Sequence, residues 1–565
     1  MKLIECVPNF SEGKDLAKVK AITDAIESVD GITLLDVDPG ADTNRTVVTF
    51  VGNPDAVSEA AYLGIKMAAE VIDMSKHKGA HPRMGATDVC PFIPISNVSN
   101  EECIDLSKEI GQRVGEELSI PVYLYEHSAQ TPERKSLPDI REGEYEGLAE
   151  KLKDIKWKPD FGPAKFNVAA GATVMGMRDF LIAYNINLNT KDHRLATDIA
   201  FEIRESGRSK RKPDPDSLNL LDGEIIRNSD GSPVKVPGMF KEVKCVGWYI
   251  DTFKRAQISI NFNNYKVSSI HDVYDAACKL ADERGIRVTG SELVGLIPLE
   301  AILMAGRHYL AKQRRTVGVS EEDIIQAAVQ SLGLNDVTPF IAEEKIIEYA
   351  VKESDDELMS MSAQGFVNEL STNSPAPGGG SVSALAGSLG AALSSMVAAL
   401  THEKKGFIAL KPEMDKIGVE AQTIKDRLSF LVDEDTNAFN NVMEANRMPA
   451  SNDDEAKVKD RAIRKANEYA IDVPYEVANL CKRVIELADI LVEKGNPNSV
   501  SDAGVAGEVA LAGLRGASMN VLINLPSIDD EEYRSEKRKE VDGLIQAAEA
   551  LHKIVYKKTL NIINK

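Results

Sequence analysis

Residues 77–88 read HKGAHPRMGATD, placing two histidines, an arginine and an aspartate among glycine and proline positions. Gly79 and Gly85 permit a tight path and Pro82 fixes the backbone after His81, so the segment presents side chains from a loop between a helix and a strand. A histidine there can exchange a proton near neutrality, because its ordinary pKa is about 6.5. Arg83 and Asp88 could orient the ring or hold a substrate carboxylate. A histidine hydrogen-bonded to its own loop fits the same residues, and both readings stand at this point. Four further stretches carry chemistry. LDVDPGADTNRTV (35–47) gathers Asp36, Asp38 and Arg45 at a strand end, as an ordinary acidic turn also would. DFGPAKFNVAAGATVMG (160–176) flanks Lys165 and Phe166 with small residues, which suits a flat ligand or an interdomain connector. SPAPGGGSVSALAGSLG opens a helix on three glycines, whose free amides suit an anion, without the Lys-Ser/Thr pair of a phosphate loop. LVDEDTNAFNNVMEA (431–445) sets Asp433 and Asp435 beside Leu431, Val432 and Phe439, where desolvation would raise a carboxyl pKa toward general acid or base use. Asp502 and the i, i+4 pair Asn520 and Asn524 lie further on.

Elements must position these groups. At 565 residues the chain is too long for one core, and the length suggests three or four domains. A formal charge of −21 argues against nucleic-acid binding, which needs a basic face. Six scattered cysteines without a C-x-x-C pair give no reason to expect disulfides or structural zinc. The N-terminus MKLIECVPNFSEGKD has no signal-like apolar stretch, so a reducing cytoplasm is the expected location. Residues 381–400, SVSALAGSLGAALSSMVAAL, are uncharged and long enough to span a bilayer, but their Ala, Ser and Gly content favours a buried bundle helix over a membrane span. Small residues at 384, 388, 391 and 395 share one face, and part of this surface or its neighbours is expected to meet a second copy as a two-fold dimer.

Hydrophobic periods order the first part as strand KLIECVPN, a helix, strands ITLLDVD and RTVVTFVG, a helix, and strand DVCPFIPI, a βαββαβ series that corresponds to a ferredoxin-like unit. The series recurs from FLIAYNINLN to IRVTGSELVGL, with a Pro-, Asp- and Ser-rich excursion near 206–240. After Pro298 helical spacing takes over. The expected architecture is two tandem α+β ferredoxin-like subdomains, 1–179 and 180–325, a helical linker over 326–354, and an all-helical bundle over 355–565.

ECVPNFSEG, NRTVVTFVG, HKGAHPRMGATDVCPFIP, DFGP with GATV, GSELVGLIPL, SPAPGGGSV and LVDEDTNAF, in that order, make the chain resemble the bifunctional formimidoyltransferase-cyclodeaminase family over nearly its whole length. The resemblance implies transfer of a formimino group from N-formimino-L-glutamate to N5 of tetrahydrofolate, then cyclisation to 5,10-methenyltetrahydrofolate with loss of ammonia. It implies His81 as the transferase histidine and Asp435 as the cyclodeaminase residue. The folate-binding segment maps to 162–171, that is Gly162, Pro163, Ala164, Lys165, Phe166, Asn167, Val168, Ala169, Ala170 and Gly171. Asp38, Arg45 and Arg83 are inferred from charge and proximity to orient substrate or imidazole. Tetrahydrofolate enters as co-substrate, with or without a polyglutamate tail; no metal, nucleic acid or membrane is expected, and the assembly is a homo-oligomer of dimers. A methenyltetrahydrofolate cyclohydrolase or an inert dimerisation module in the helical part, and formimino-glycine as donor, remain open.

Overall fold

The computed structural model describes residues 2–41, 43–79, 81–351 and 358–565. Packing divides the chain into two units, one of residues 1–305 and 332–352, the other of 306–331 and 353–565. The sequence-based division instead places 306–325 in the second α+β half and 326–331 in the linker; its boundary at 354/355 lies outside the described residues.

The first unit opens with β1 (Leu3–Cys6), β2 (Asn9–Phe10), α1 (Leu16–Glu27), β3 (Ile32–Gly40), β4 (Arg45–Gly52), α2 (Pro54–Val71) and β5 (Thr87–Ser96). β1 and β2 are one extended run interrupted at Val7 and Pro8, each antiparallel to β4 on one side and β5 on the other. With β3 on the outer edge of β4, the lateral order is β3, β4, β1/β2, β5. Next come α3 (Asn100–Glu117), β6 (Val122–Leu124), α4 (Leu137–Arg141), α5 (Glu144–Lys151) and β7 (Thr173–Met177), which joins β5 and β6 in parallel. Helix starts are written locally: Asn53 caps α2 ahead of Pro54, and Ser99 with Glu102 forms a capping box on α3.

Strand alternation then makes two different faces. Ile4, Cys6, Phe10, Val48, Phe50, Cys90 and Phe92 pack with α1, α2 and α3 in one core. Over β5, β7 and β6 the opposite face is covered by α4 and α5 around Val89, Tyr123, Tyr125, Val174, Ile140 and Leu148.

The series β8 (Ile182–Leu188), α6 (His193–Ile203), β9 (Arg208–Ser209), β10 (Arg211–Lys212), β11 (Glu224–Ile225), β12 (Lys235–Val236), β13 (Val243–Ile250), β14 (Arg255–Phe262), α7 (Ile270–Glu283) and β15 (Val288–Val294) follows. Its main sheet runs β13, β14, β8, β15, all antiparallel, and repeats the lateral order of the first four strand runs. The 206–240 excursion is held by two short ladders, β9 with β12 and β10 with β11. It is tied down by fully buried Asp198 of α6, which pairs at 2.7 Å with both Arg208 from the excursion and Arg284 beyond α7.

The remaining elements are helical: α8 (Leu299–Lys312), α9 (Glu321–Leu332), α10 (Ala342–Lys345), α11 (Ile347–Ala350), α12 (Ala363–Leu370), α13 (Gly379–Glu403), α14 (Lys411–Arg447), α15 (Asp453–Lys494), α16 (Val500–Asn524) and α17 (Glu531–Ile563). In the second unit α13 packs on α14, α15 and α16 around Leu428, Val484, Leu491 and Leu514. By length and composition α13 could cross a membrane, yet it is the central helix of this bundle. Its small-residue face is not available to a second copy, which leaves of the sequence expectation only the neighbouring surface. Ala384, Ser388, Ala391 and Ser395 are all buried within the chain, and small side chains bring α14 close enough for Ser388 to bond Ser429 at 2.9 Å and Gln422 to donate to Ser395 at 3.0 Å. The exposed side of α13 carries Val382, Leu389, Met396 and Leu400 instead.

Candidate active sites

The loop after α2 and the segment 162–171 form one structure. Backbone bonds run from Met74 N to Ala169 O (2.9 Å), Ala86 N to Ala170 O (2.8 Å) and Ala172 N to Met84 O (3.1 Å). Gly85 and Gly171 meet backbone to backbone, and a Cβ on either would come closer than 3.0 Å to the opposing chain; Gly171 also takes φ +69°. Gly162, Pro163, Ala164 and Lys165 are exposed, as are Val168 and Ala169, while Ala170 and Gly171 are buried. Asn167 turns the segment by accepting from Ala170 N at 3.0 Å. Half-buried Phe166 packs on Tyr145, ring centroids 5.3 Å apart, and the Tyr145 hydroxyl donates to Val168 O at 2.6 Å.

His81 stands in this loop with Nδ1 buried and unpartnered. Burial, then the guanidinium groups of Arg45 and Arg141, hold its pKa below the ordinary histidine value, opposed by a backbone hydrogen bond at Pro82 and then by Asp88. A neutral ring with a free nitrogen is a base. Arg45, first residue of β4, is partly buried with Nε unpartnered, and burial lowers its pKa too. Among the described residues no carboxylate forms an ion pair with it, so it can receive an anionic substrate group. Asp88 is fully committed, accepting from Met84 N at 2.8 Å and pairing with Arg141.

Two inferred roles need correction. Arg83 is not free for a substrate carboxylate: its guanidinium pairs with Glu144 at 2.9 Å and Glu146 at 2.7 Å, and its Nε donates to His77 at 3.2 Å. It pins α5 to the loop. Asp38 is exposed on β3 and acts electrostatically on Arg45, while the carboxylate that acts on His81 is Asp88. Sequence reasoning missed Arg141, which lies 53 residues from its partner Asp88 and carries no local signal beyond the short helix it ends. It also missed Asn44, whose side chain accepts from Gly13 N at 3.1 Å and donates to Lys78 O at 2.9 Å, joining two loops beneath the site.

In the second unit Asp435 of α14 meets the glycine-rich start of α13. Its Oδ2 accepts from Ser381 N at 2.9 Å and Ser381 Oγ at 3.2 Å. Burial raises its pKa, partly offset by those two bonds. A Cβ on Gly380 would lie closer than 3.0 Å to Cγ and both carboxyl oxygens, so glycine there is a condition of the contact. Asn520 of α16 borders Gly379 on the other side and donates to Gly516 O at 2.9 Å; Asn524 instead donates to Ala470 O at 2.8 Å. Asp433 is structural, accepting from Leu358 N at 2.6 Å. The structure thus joins His81, Arg45 and 162–171 in one unit and leaves Asp435 in the other.

Comparison with known proteins agrees with this division. Residues 3–178 match the family described as the formiminotransferase domain, N-terminal subdomain; 183–352 match the formiminotransferase domain; 362–543 match formiminotransferase-cyclodeaminase. A formimidoyltransferase-cyclodeaminase of Mus musculus is 42% identical, covering 97% of each chain. A glutamate formimidoyltransferase of Thermoplasma acidophilum is 42% identical over 55% of this chain and 93% of its own. A methenyltetrahydrofolate cyclohydrolase of Methylorubrum extorquens is 37% identical over 35% of this chain and 96% of its own. Whole-length similarity to the first, with both halves matched separately, makes this chain a member of the formimidoyltransferase-cyclodeaminase family.

Proposed function

We propose that the chain transfers the formimino group of N-formimino-L-glutamate to N5 of tetrahydrofolate and cyclises the product to 5,10-methenyltetrahydrofolate with release of ammonia. The observation that carries the proposal is one proton carrier in each unit, with its pKa displaced in the useful direction: His81 down, toward a neutral base, and Asp435 up, toward a carboxyl that can hold a proton. In the first step N5 attacks the amidine carbon, His81 accepts the N5 proton, and the same proton passes to the departing glutamate nitrogen. Arg45 holds a carboxylate of the donor, and the exposed part of 162–171 receives the folate. In the second step N10 attacks the same carbon intramolecularly, where effective concentration is already high. Asp435 takes the N10 proton and gives one to the leaving ammonia. Neither step as written calls for a metal.

The shared lateral order of the two sheets supports describing both halves of the first unit as ferredoxin-like. The uncharged, exposed row Val382, Leu389, Met396 and Leu400 on α13 supports a homo-oligomer built on dimers, through the face opposite to the small residues. Six free cysteines suit a reducing cytoplasm. Similarity to a named cyclohydrolase favours one alternative, hydrolysis of methenyltetrahydrofolate in the helical unit. Purified protein given N-formimino-L-glutamate and tetrahydrofolate should yield one ammonia per methenyl product. Methenyl turnover without ammonia would favour the hydrolase, and consumption of formimino-glycine in place of the glutamate donor would overturn the donor assignment.

A further inference from the structure

Glu5 of β1 is a buried acid that the mechanism leaves unused. It is 4% exposed, and its strand partners Val51 and Ile93 are fully buried. Ile4 and Cys6 on either side face the core beneath α1 and α2, so alternation turns Glu5 to the opposite face of the sheet, the face that also carries Asn9. Among the described residues no donor bonds its carboxylate, and Arg178 is the one charge acting on it. Burial pushes its pKa up to about 7, against the pull of Arg178. A nine-tenths-buried carboxylate without a hydrogen-bond partner is costly unless a ligand completes it.

Other polar groups near this face also lack partners. Asn9 Oδ1, Arg45 Nε and His81 Nδ1 are buried and unpartnered. Tyr125 lies within electrostatic range of both Arg178 and Arg141, linking the Glu5 end to the charges around His81. The four residues from Asn9 to Glu5 rise about 13 Å. That span matches the length of a fused bicyclic ring with a hydrogen bond at each end.

A reduced pterin offers the matching edge, because N3–H and the 2-amino group are adjacent parallel donors, the arrangement a carboxylate accepts from a guanidinium. Building on the folate-dependent function above, we propose that Glu5 is the specificity-determining residue that accepts this edge, placing N5 toward His81. The p-aminobenzoyl glutamate portion and the formimino donor make no contact with it.

The test pairs a change in the protein with a change in the ligand. With full-length protein, dissociation constants are measured for tetrahydrofolate and for its 2-desamino analogue, which lacks one of the two donors. Wild type should prefer tetrahydrofolate about 10- to 100-fold, the usual worth of a hydrogen bond to a charged group. Glu5→Gln should lose that preference while keeping the wild-type KM for N-formimino-L-glutamate. Should Glu5→Gln not fold, Glu5→Asp, which shortens the arm, should shrink the preference in the same way. A wild type that does not discriminate, or a variant that discriminates as wild type does, overturns the proposal. A merely structural role would weaken both ligands equally. Absence of transferase activity in wild type would instead strike at the folate reading itself.

Discussion

Gly380→Ala is a sharp perturbation of the deaminase site, because two opposing effects can be weighed. Gly380 lies in the first turn of α13 with ordinary helical backbone, so alanine should stabilise the helix by about 1 kcal/mol. The new Cβ, however, would fall closer than 3.0 Å to Cγ, Oδ1 and Oδ2 of Asp435. The carboxyl must move, and it then gives up the bonds from Ser381 N and Oγ at 2.9 and 3.2 Å. Hydrogen bonds to a charged group are worth about 1.5–3 kcal/mol each, so the clash outweighs the helix gain. A catalytic group displaced by about 1 Å typically costs about 10²-fold in rate. The expected outcome is a folded protein with normal formimino transfer and deamination reduced about 100-fold, read as accumulation of 5-formiminotetrahydrofolate. Gly379→Ala is the control, because its Cβ would meet its nearest neighbour, Asn520 Nδ2, at an ordinary 3.5 Å. Equal loss in both variants, or none in Gly380→Ala, would refute the placement of Asp435.

His81→Ala should lower transfer by about 10²- to 10⁴-fold while supplied 5-formiminotetrahydrofolate is still cyclised, as separate single-turnover assays would show. The pKa of His81 is held down by burial and then by Arg45 and Arg141, so its basic form persists below pH 6.5; transfer should stay level through 6.5 and fall about tenfold per unit only below the depressed value. Arg45→Gln removes one of those charges and should shift the break upward in the pH profile. Asp198→Asn should destabilise the first unit by about 1–3 kcal/mol in denaturant unfolding, because it leaves buried Arg208 and Arg284 with Glu202 as their one remaining carboxylate among the described residues.

Much of this organisation was legible because local patterns and tertiary packing agree. Alternating β-branched runs such as RTVVTFVG marked β4. The strand read as KLIECVPN breaks in two because Pro8 has no N–H to give the ladder. Contacts between distant segments were not legible. Arg83 looked like a carboxylate clamp until Glu144 and Glu146 were seen to claim it, and Arg141 was invisible because its partner lies 53 residues away in the chain. The small-residue row of α13 was correctly read as a close-packing face, but spacing alone cannot say whether the neighbour is α14 or another chain. His81 and Asp435 stood out through motif resemblance; the reasons they can work, a buried ring nitrogen without a partner and a carboxyl held at a helix start, required the fold.

The central claim is that the two chemistries rest on separate proton carriers, and Asp435→Asn in the full chain tests it most directly. The substitution preserves shape and hydrogen bonding while removing the ionisable carboxyl. Incubated with N-formimino-L-glutamate and tetrahydrofolate, the variant should release glutamate at the wild-type rate, accumulate 5-formiminotetrahydrofolate and produce almost no ammonia. Formation of 5,10-methenyltetrahydrofolate and ammonia at wild-type rates would contradict the account.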